Sequence, residues 1–172
     1  MFQVAVLAIL TVLVGIDQLT KWLAIVNLKD AEAITFIPNV MGFSYVENRG
    51  AAFGILQGAR WFFIILTGVT MVAVLFLLLF GNFRRYMLFN VSATLIVAGG
   101  LGNFIDRLIH GYVVDFIKVL FFEFPIFNVA DCFVVVGSIL LLIFFCFIYD
   151  EKAIPSKKTE VNNESDSTDS IG

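Results

Sequence analysis

Two aspartates, Asp115 and Asp131, stand in a stretch that is otherwise almost entirely apolar, VVDFIKVLFFEFPIFNVADCF, from Val113 to Phe133. Ionising a carboxylate in such surroundings is expensive. Two carboxylates that share an apolar site cannot both ionise readily, because desolvation and mutual repulsion raise one pKa. One is left as an acid and the other as a base. Such a pair can activate water for peptide hydrolysis. The ionised carboxylate takes a proton from water while the neutral one polarises the carbonyl. Asp131 taken alone has a structural explanation. Asn128 is a good helix N-cap, and Asp131 then falls at the third helical position, where a carboxylate meets the positive end of the dipole. Asp115, set among Val113, Val114, Phe116 and Ile117, has no such role.

Other polar groups stand in equally apolar company. In DQLTK, Asp17 and Lys21 are four residues apart, share a helix face and can pair. An ion pair that only holds helices together would account for both. In AGGLGNFIDR, Gly99, Gly100 and Gly102 allow close approach of another backbone. Asn103, Asp106 and Arg107 follow at i, i+3 and i+4, on one face. A helix-end charge pair would account for Asp106 and Arg107, but a buried amide at Asn103 needs partners. No cluster of His and Cys suggests zinc, and neither metal nor other cofactor is expected. The one histidine, His110, precedes Gly111 at a helix end, a solvated or dipole-facing position. Cys132 and Cys146 are ~21 Å apart if they share a helix, too far to bridge, and read as apolar fillers.

The elements that must hold these groups are set by composition. The chain of 172 residues is 60% hydrophobic, has 20 phenylalanines and is only 15% charged; its mean hydropathy is +0.96. Trp61 to Phe80 and Tyr86 to Ile105 contain no charged residue. Each run is about the length of one membrane-spanning helix. Four spans are predicted, at about 4–26, 61–80, 86–107 and 129–149, with Asp17, Gln18 and Lys21 interrupting the first. The N-terminal run lacks a basic leader segment and an A-x-A site, so it reads as a retained first span rather than a cleaved signal. Trp61, Tyr86 and Tyr149 sit at span ends, as interfacial aromatics do. The fold class expected is an all-α integral membrane protein with a small sheet in its first long loop, about 28–60. Ile109 to Asn128 is read as a further loop carrying Asp115.

Charge and depth then constrain function. The net charge of −3 lies wholly in residues 150–172, which hold six acids and three lysines; the other 149 residues balance eight against eight. That acidic tail is expected to be disordered, and nothing points to nucleic acid. An even number of spans puts both termini on one side, together with the Gly81 to Arg85 connector. Its paired arginines favour that side as cytoplasmic. Asp17 then lies ~21 Å, and Asp106 ~30 Å, from the start of its span, while Asp131 is within one turn of the opposite face. The polar groups converge on one side of the bilayer. An ion pathway would string them through its full thickness.

Five ordered blocks carry a resemblance to a known family: DQLTK (Asp17 to Lys21), ENRGAAFG (Glu47 to Gly54), GLGNFIDR (Gly100 to Arg107), VVDFI (Val113 to Ile117) and FNVAD (Phe127 to Asp131). Together they resemble the lipoprotein signal peptidases, or signal peptidase II. The resemblance implies an aspartic endopeptidase of the bacterial cytoplasmic membrane that cuts prolipoproteins before a diacylglyceryl-modified cysteine. It implies Asp115 and Asp131 as catalytic residues, with Asp17, Lys21, Asn48, Gly50, Asn103, Asp106, Arg107 and Asn128 in support. Termini in the cytoplasm, an active site near the outer leaflet and a β-cradle in the first external loop are also implied. The partners expected are lipidated precursors and membrane lipid, and a monomer suffices. Arg49 is a further candidate for holding the extended peptide. Where the family often shows G-G-A-x-G-N, this chain has Ala98-Gly99-Gly100-Leu101-Gly102-Asn103, an exchange among small residues.

Overall fold

A computed structural model describes residues 1–50, 56 and 58–149. Its long helices are α1 (Phe2–Leu28), α2 (Arg60–Phe80), α3 (Met87–Ile109) and α4 (Val129–Ile143), the last continued by a π-helical turn, Phe144–Ile148. All four are long and apolar enough to cross a membrane. They run within a few residues of the apolar segments predicted, because hydropathy and length fix such helices almost alone. Asn82–Arg85 forms a 3₁₀ turn between α2 and α3.

α3 is the hub. Its spanning window is 44% buried, against 17%, 17% and 11% for α1, α2 and α4. Small residues make this possible: Ser92, Ala93, Ala98, Gly99 and Gly102 are all buried. A Cβ at Gly99 would collide with the Ala130 carbonyl of α4, and one at Gly137 would come within 2.8 Å of the Ser92 carbonyl. α3 and α4 therefore pack almost backbone to backbone, a contact that gains dispersion energy where lipid offers no hydrophobic driving force. At the end where α2 turns into α3, Leu78, Phe89 and Phe144 form an apolar core with Val6 and Leu10 of α1.

At the other end sits a three-stranded antiparallel sheet, β1 (Ile34–Ile37), β2 (Met41–Asn48) and β3 (Val113–Val119), in the order β1-β2-β3. β2 and β3 pair with Val46 opposite Asp115 and Asn48 opposite Val113, and their register shifts between Phe43 and Val46. Val114 and Phe116 pack under the sheet against Ala24 and Leu28 at the end of α1.

One expectation is corrected. Asp115 does not ride on a loop: Val113–Val119 is the third strand, so the sheet draws on both long connections rather than the first alone. The run VVDFIKV gives no alternation to read, because its first four residues are all buried. Only strands with one solvated face alternate. Gly111, at φ 81°, makes the left-handed turn that takes the chain from α3 into this strand; glycine adopts that conformation without steric penalty.

Candidate active site

Five elements, α1, β2, α3, β3 and α4, bring the polar residues together where the sheet meets the bundle. Asn128 begins α4 with a capping box. Its side-chain Oδ1 accepts from the Asp131 backbone N–H at 2.9 Å, and its own backbone N–H donates to Asp131 Oδ2 at 3.1 Å. That leaves the Asn128 amide nitrogen facing Asp115 Oδ1 at 2.7 Å, with Asn103 Oδ1 at 3.1 Å and the Val114 carbonyl at 3.3 Å. These contacts fix which end of the Asn128 amide points where. One residue thus touches both aspartates.

Each aspartate has a second amide. Asn48 Nδ2, from β2, donates to Asp115 Oδ2 at 2.8 Å, while its Oδ1 accepts from the Gly50 N–H at 3.0 Å. Asn103 Nδ2, from α3, donates to Asp131 Oδ1 at 2.8 Å. Asp115 is buried, and burial first, with the Asp131 charge adding to it, pushes its carboxyl up to about 7. The hydrogen bonds from Asn48 and Asn128 act in the opposite direction. A proton can therefore reside at this site near neutral pH, the condition for one acid and one base.

A layer of charge lies beneath. Lys21 Nζ pairs with Asp17 Oδ2 at 3.0 Å and with Asp106 Oδ2 at 3.1 Å, and donates to Asn103 Oδ1 at 2.9 Å. Asp17, Lys21 and Asp106 are each at most 2% exposed. Asp17 is more than the partner of Lys21: its Oδ1 accepts from the Ala130 N–H of α4 at 2.9 Å. Asp106 likewise accepts from the Val114 N–H of β3 at 3.0 Å. The two carboxylates tie α1 to α4 and α3 to β3, and Asn103 links Lys21 to Asp131. Asp106 and Arg107, adjacent in sequence, do not pair with each other among the described residues. Arg107 donates to the Gly50 carbonyl at 3.2 Å and lies over the Phe63 ring, 4.8 Å from its centre.

Sequence reasoning passed over Gln18. Its Nε2 faces Asp106 Oδ1 at 3.0 Å and both Asp17 Oδ2 and the Gly102 carbonyl at 3.2 Å. The signal was an amide beside Asp17 at membrane depth. Gly102 is close by for a physical reason, since a Cβ there would strike Asp17 Oδ2. Arg49 pairs with Glu47 at 3.0 Å and lies over Tyr112, and His110 stacks on the same Tyr112 ring. Ala51 to Gly54, the rest of the second sequence block, lie outside the described residues. Cys132 and Cys146 are free thiols. Among the described residues no group of three or more His, Cys, Asp or Glu is arranged for a metal ion.

Four helices long and apolar enough to cross a membrane, closed at one end by a sheet, with Asp115 and Asp131 both held by Asn128 at the junction, define a multi-pass membrane protein. A family model for signal peptidase II matches residues 9–147. The lipoprotein signal peptidase of Streptococcus thermophilus is 43% identical over 143 residues, covering 83% of this chain and 93% of that protein. That of Clostridioides difficile is 44% identical over 140 residues, covering 81% and 93%. A solved structure described as a bacterial membrane enzyme superposes with a TM-score of 0.76 at 34% identity, over 92% of this chain and 94% of the other. The chain belongs to the signal peptidase II family and is an aspartic peptidase of that type.

Proposed function

We propose that this peptidase removes signal peptides from prolipoproteins by cutting before the diacylglyceryl-modified cysteine, with Asp115 and Asp131 as a water-activating dyad. The observation that carries this reading is Asn128, whose amide nitrogen holds Asp115 while its backbone N–H holds Asp131. Two carboxylates locked to one residue, one on a strand and one on a helix, can share a proton between them. One carboxylate takes a proton from the attacking water, and the other, protonated, donates towards the scissile carbonyl. As the leaving amine departs it receives a proton and the dyad returns to its starting charge. The titration belongs to the pair.

Asn48, Asn103 and Asn128 orient the dyad; Lys21, held by Asp17 and Asp106, fixes Asn103, which in turn accepts from Asn128. Arg107 and Gly50 border the site from α3 and from the base of the first long loop. The peptidase unit is residues 1–149; residues 150–172, read from the sequence as an acidic cytoplasmic tail, lie outside the described residues. Both termini lie in the cytoplasm and the sheet lies at the outer leaflet, with the first long loop external. This orientation rests on the paired arginines of the α2–α3 connector. The precursor then arrives laterally from the bilayer, and its scissile bond meets the dyad near water. A monomer suffices for this chemistry, since every supporting residue comes from one chain.

The test is cleavage of a lipidated precursor by purified enzyme. Asp115→Asn and Asp131→Asn should each lower kcat at least ~10³-fold while the protein remains inserted and cooperatively folded. Wild-type cleavage by either variant would remove the dyad.

A further inference from the structure

Arg60 opens α2, yet its side chain serves α3. Its Nε donates to the Arg107 carbonyl and its NH2 group to the Leu108 carbonyl, each at 2.8 Å. These carbonyls belong to the last turn of α3, where the helix has no backbone donors left to offer. A cation at a helix C-terminus also meets the negative end of the dipole. Among the described residues no carboxylate pairs with Arg60; its guanidinium lies 5.6 Å from the Trp61 ring centre and meets the negative end of α3. The Gly111 turn lies against this guanidinium, in ordinary contact: a Cβ at Gly111 would sit 3.4 Å from the Arg60 NH1 atom.

The capped turn is an active-site element. It carries Arg107, whose guanidinium reaches back over Phe63, one turn along α2 from Arg60. Two residues beyond Gly111 begins β3, with Asp115 its third residue. α2 packs principally on α3, so Arg60 and Arg107 cross between the two helices at the site end, each from the other's side. We propose that Arg60 is a positioning residue of the peptidase: by capping α3 from α2 it sets both the Arg107 guanidinium and the take-off of the strand that carries Asp115. The inference rests on the dyad reading above.

The experiment measures kcat, KM and the pH profile of lipidated-precursor cleavage, with thermal unfolding in detergent, for the full-length enzyme and its Arg60→Ala and Arg60→Lys variants. Misplacing catalytic groups by a fraction of an ångström should lower kcat of Arg60→Ala about tenfold. Charges facing Asp115 come from Asp131 on α4, Lys21 on α1 and Arg107 on α3. A displaced Arg107 therefore shifts the activity limb near pH 7 upward. Arg60→Lys, which keeps the charge but loses the two-point fork, should recover part of kcat, and it carries the test if Arg60→Ala does not fold. A variant with lowered thermal stability but wild-type kcat and pH profile would overturn the proposal. Inactive Asp115→Asn beside fully active Arg60→Ala sinks the Arg60 role alone; active Asp115→Asn sinks the dyad itself.

Discussion

Asn48 and Asn128 donate to the two oxygens of Asp115, and Asn103 donates to Asp131. A hydrogen bond to a carboxylate favours the charged form, so these amides oppose the burial that raises Asp115 to about 7. Asn48→Ala removes one donor from Asp115 and leaves the capping box of α4 intact. A hydrogen bond to a charged group is worth ~1.5–3 kcal/mol, so the limb of the pH–activity profile near pH 7 should move up by roughly one to two pH units. The kcat profile between pH 5 and 9 measures it, and an unmoved limb would mean that Asn48 does not sense the charge on Asp115. Asn128→Ala should be more damaging. It withdraws the amide from Asp115 and the cap from α4, adding a stability loss of ~1 kcal/mol readable by thermal unfolding.

Between elements, the ion cluster is held by how closely the helices approach. Asp17→Asn should lower stability by ~1–3 kcal/mol in thermal unfolding. The amide oxygen can still accept from Lys21 and Gln18 on one side or from the Ala130 N–H on the other, but not from all three. Gly102→Ala carries no charge and touches no catalytic group, yet its methyl would strike Asp17 Oδ2. Overpacking at such a site costs about 1–3 kcal/mol, and the displaced carboxylate would pull Lys21 from Asn103, so cleavage should fall together with stability. Unchanged unfolding of Gly102→Ala would mean that α1 and α3 can part without cost. These couplings mark the limit of what the sequence discloses. Hydropathy delivers the four helices, and Asn128 with Asp131 announces its own cap because both partners lie within one turn. The strand of Asp115 stays hidden, since Val113–Val119 has no polar alternation and finds β2 far away in sequence. Spacing puts Asp106 beside Arg107, but only packing sends Asp106 inward to Lys21 and Arg107 outward to Gly50. Likewise the i, i+4 pairing of Asp17 with Lys21 is legible, whereas the second bond of Asp17, to Ala130, joins residues 113 apart in the chain.

For the whole molecule, a dyad built in apolar surroundings opposes the stability of the fold that carries it. Asp115 has an ordinary value of 3.8 and is raised to about 7 in the folded protein. Between these values the folded chain binds more protons at this residue than the unfolded chain does. Stability therefore falls as pH rises through the window, and it levels off once both states are ionised. At ~1.4 kcal/mol per tenfold change, the destabilisation at pH 8 reaches at most about 4 kcal/mol. Asp115→Asn removes this titration while keeping a side chain of the same size. Its stability relative to wild type should rise steadily from pH 4 to pH 7.5 and then flatten, whatever fixed cost the lost acceptor imposes. Denaturant midpoints of the two proteins in the same detergent, compared across that range, measure the difference. A constant difference would place the Asp115 titration outside the window and remove the physical basis for an acid and a base at neutral pH. A rising one would show the dyad opposing the fold as pH increases, the trade expected where function requires an ionisable group in a poor solvent for charge.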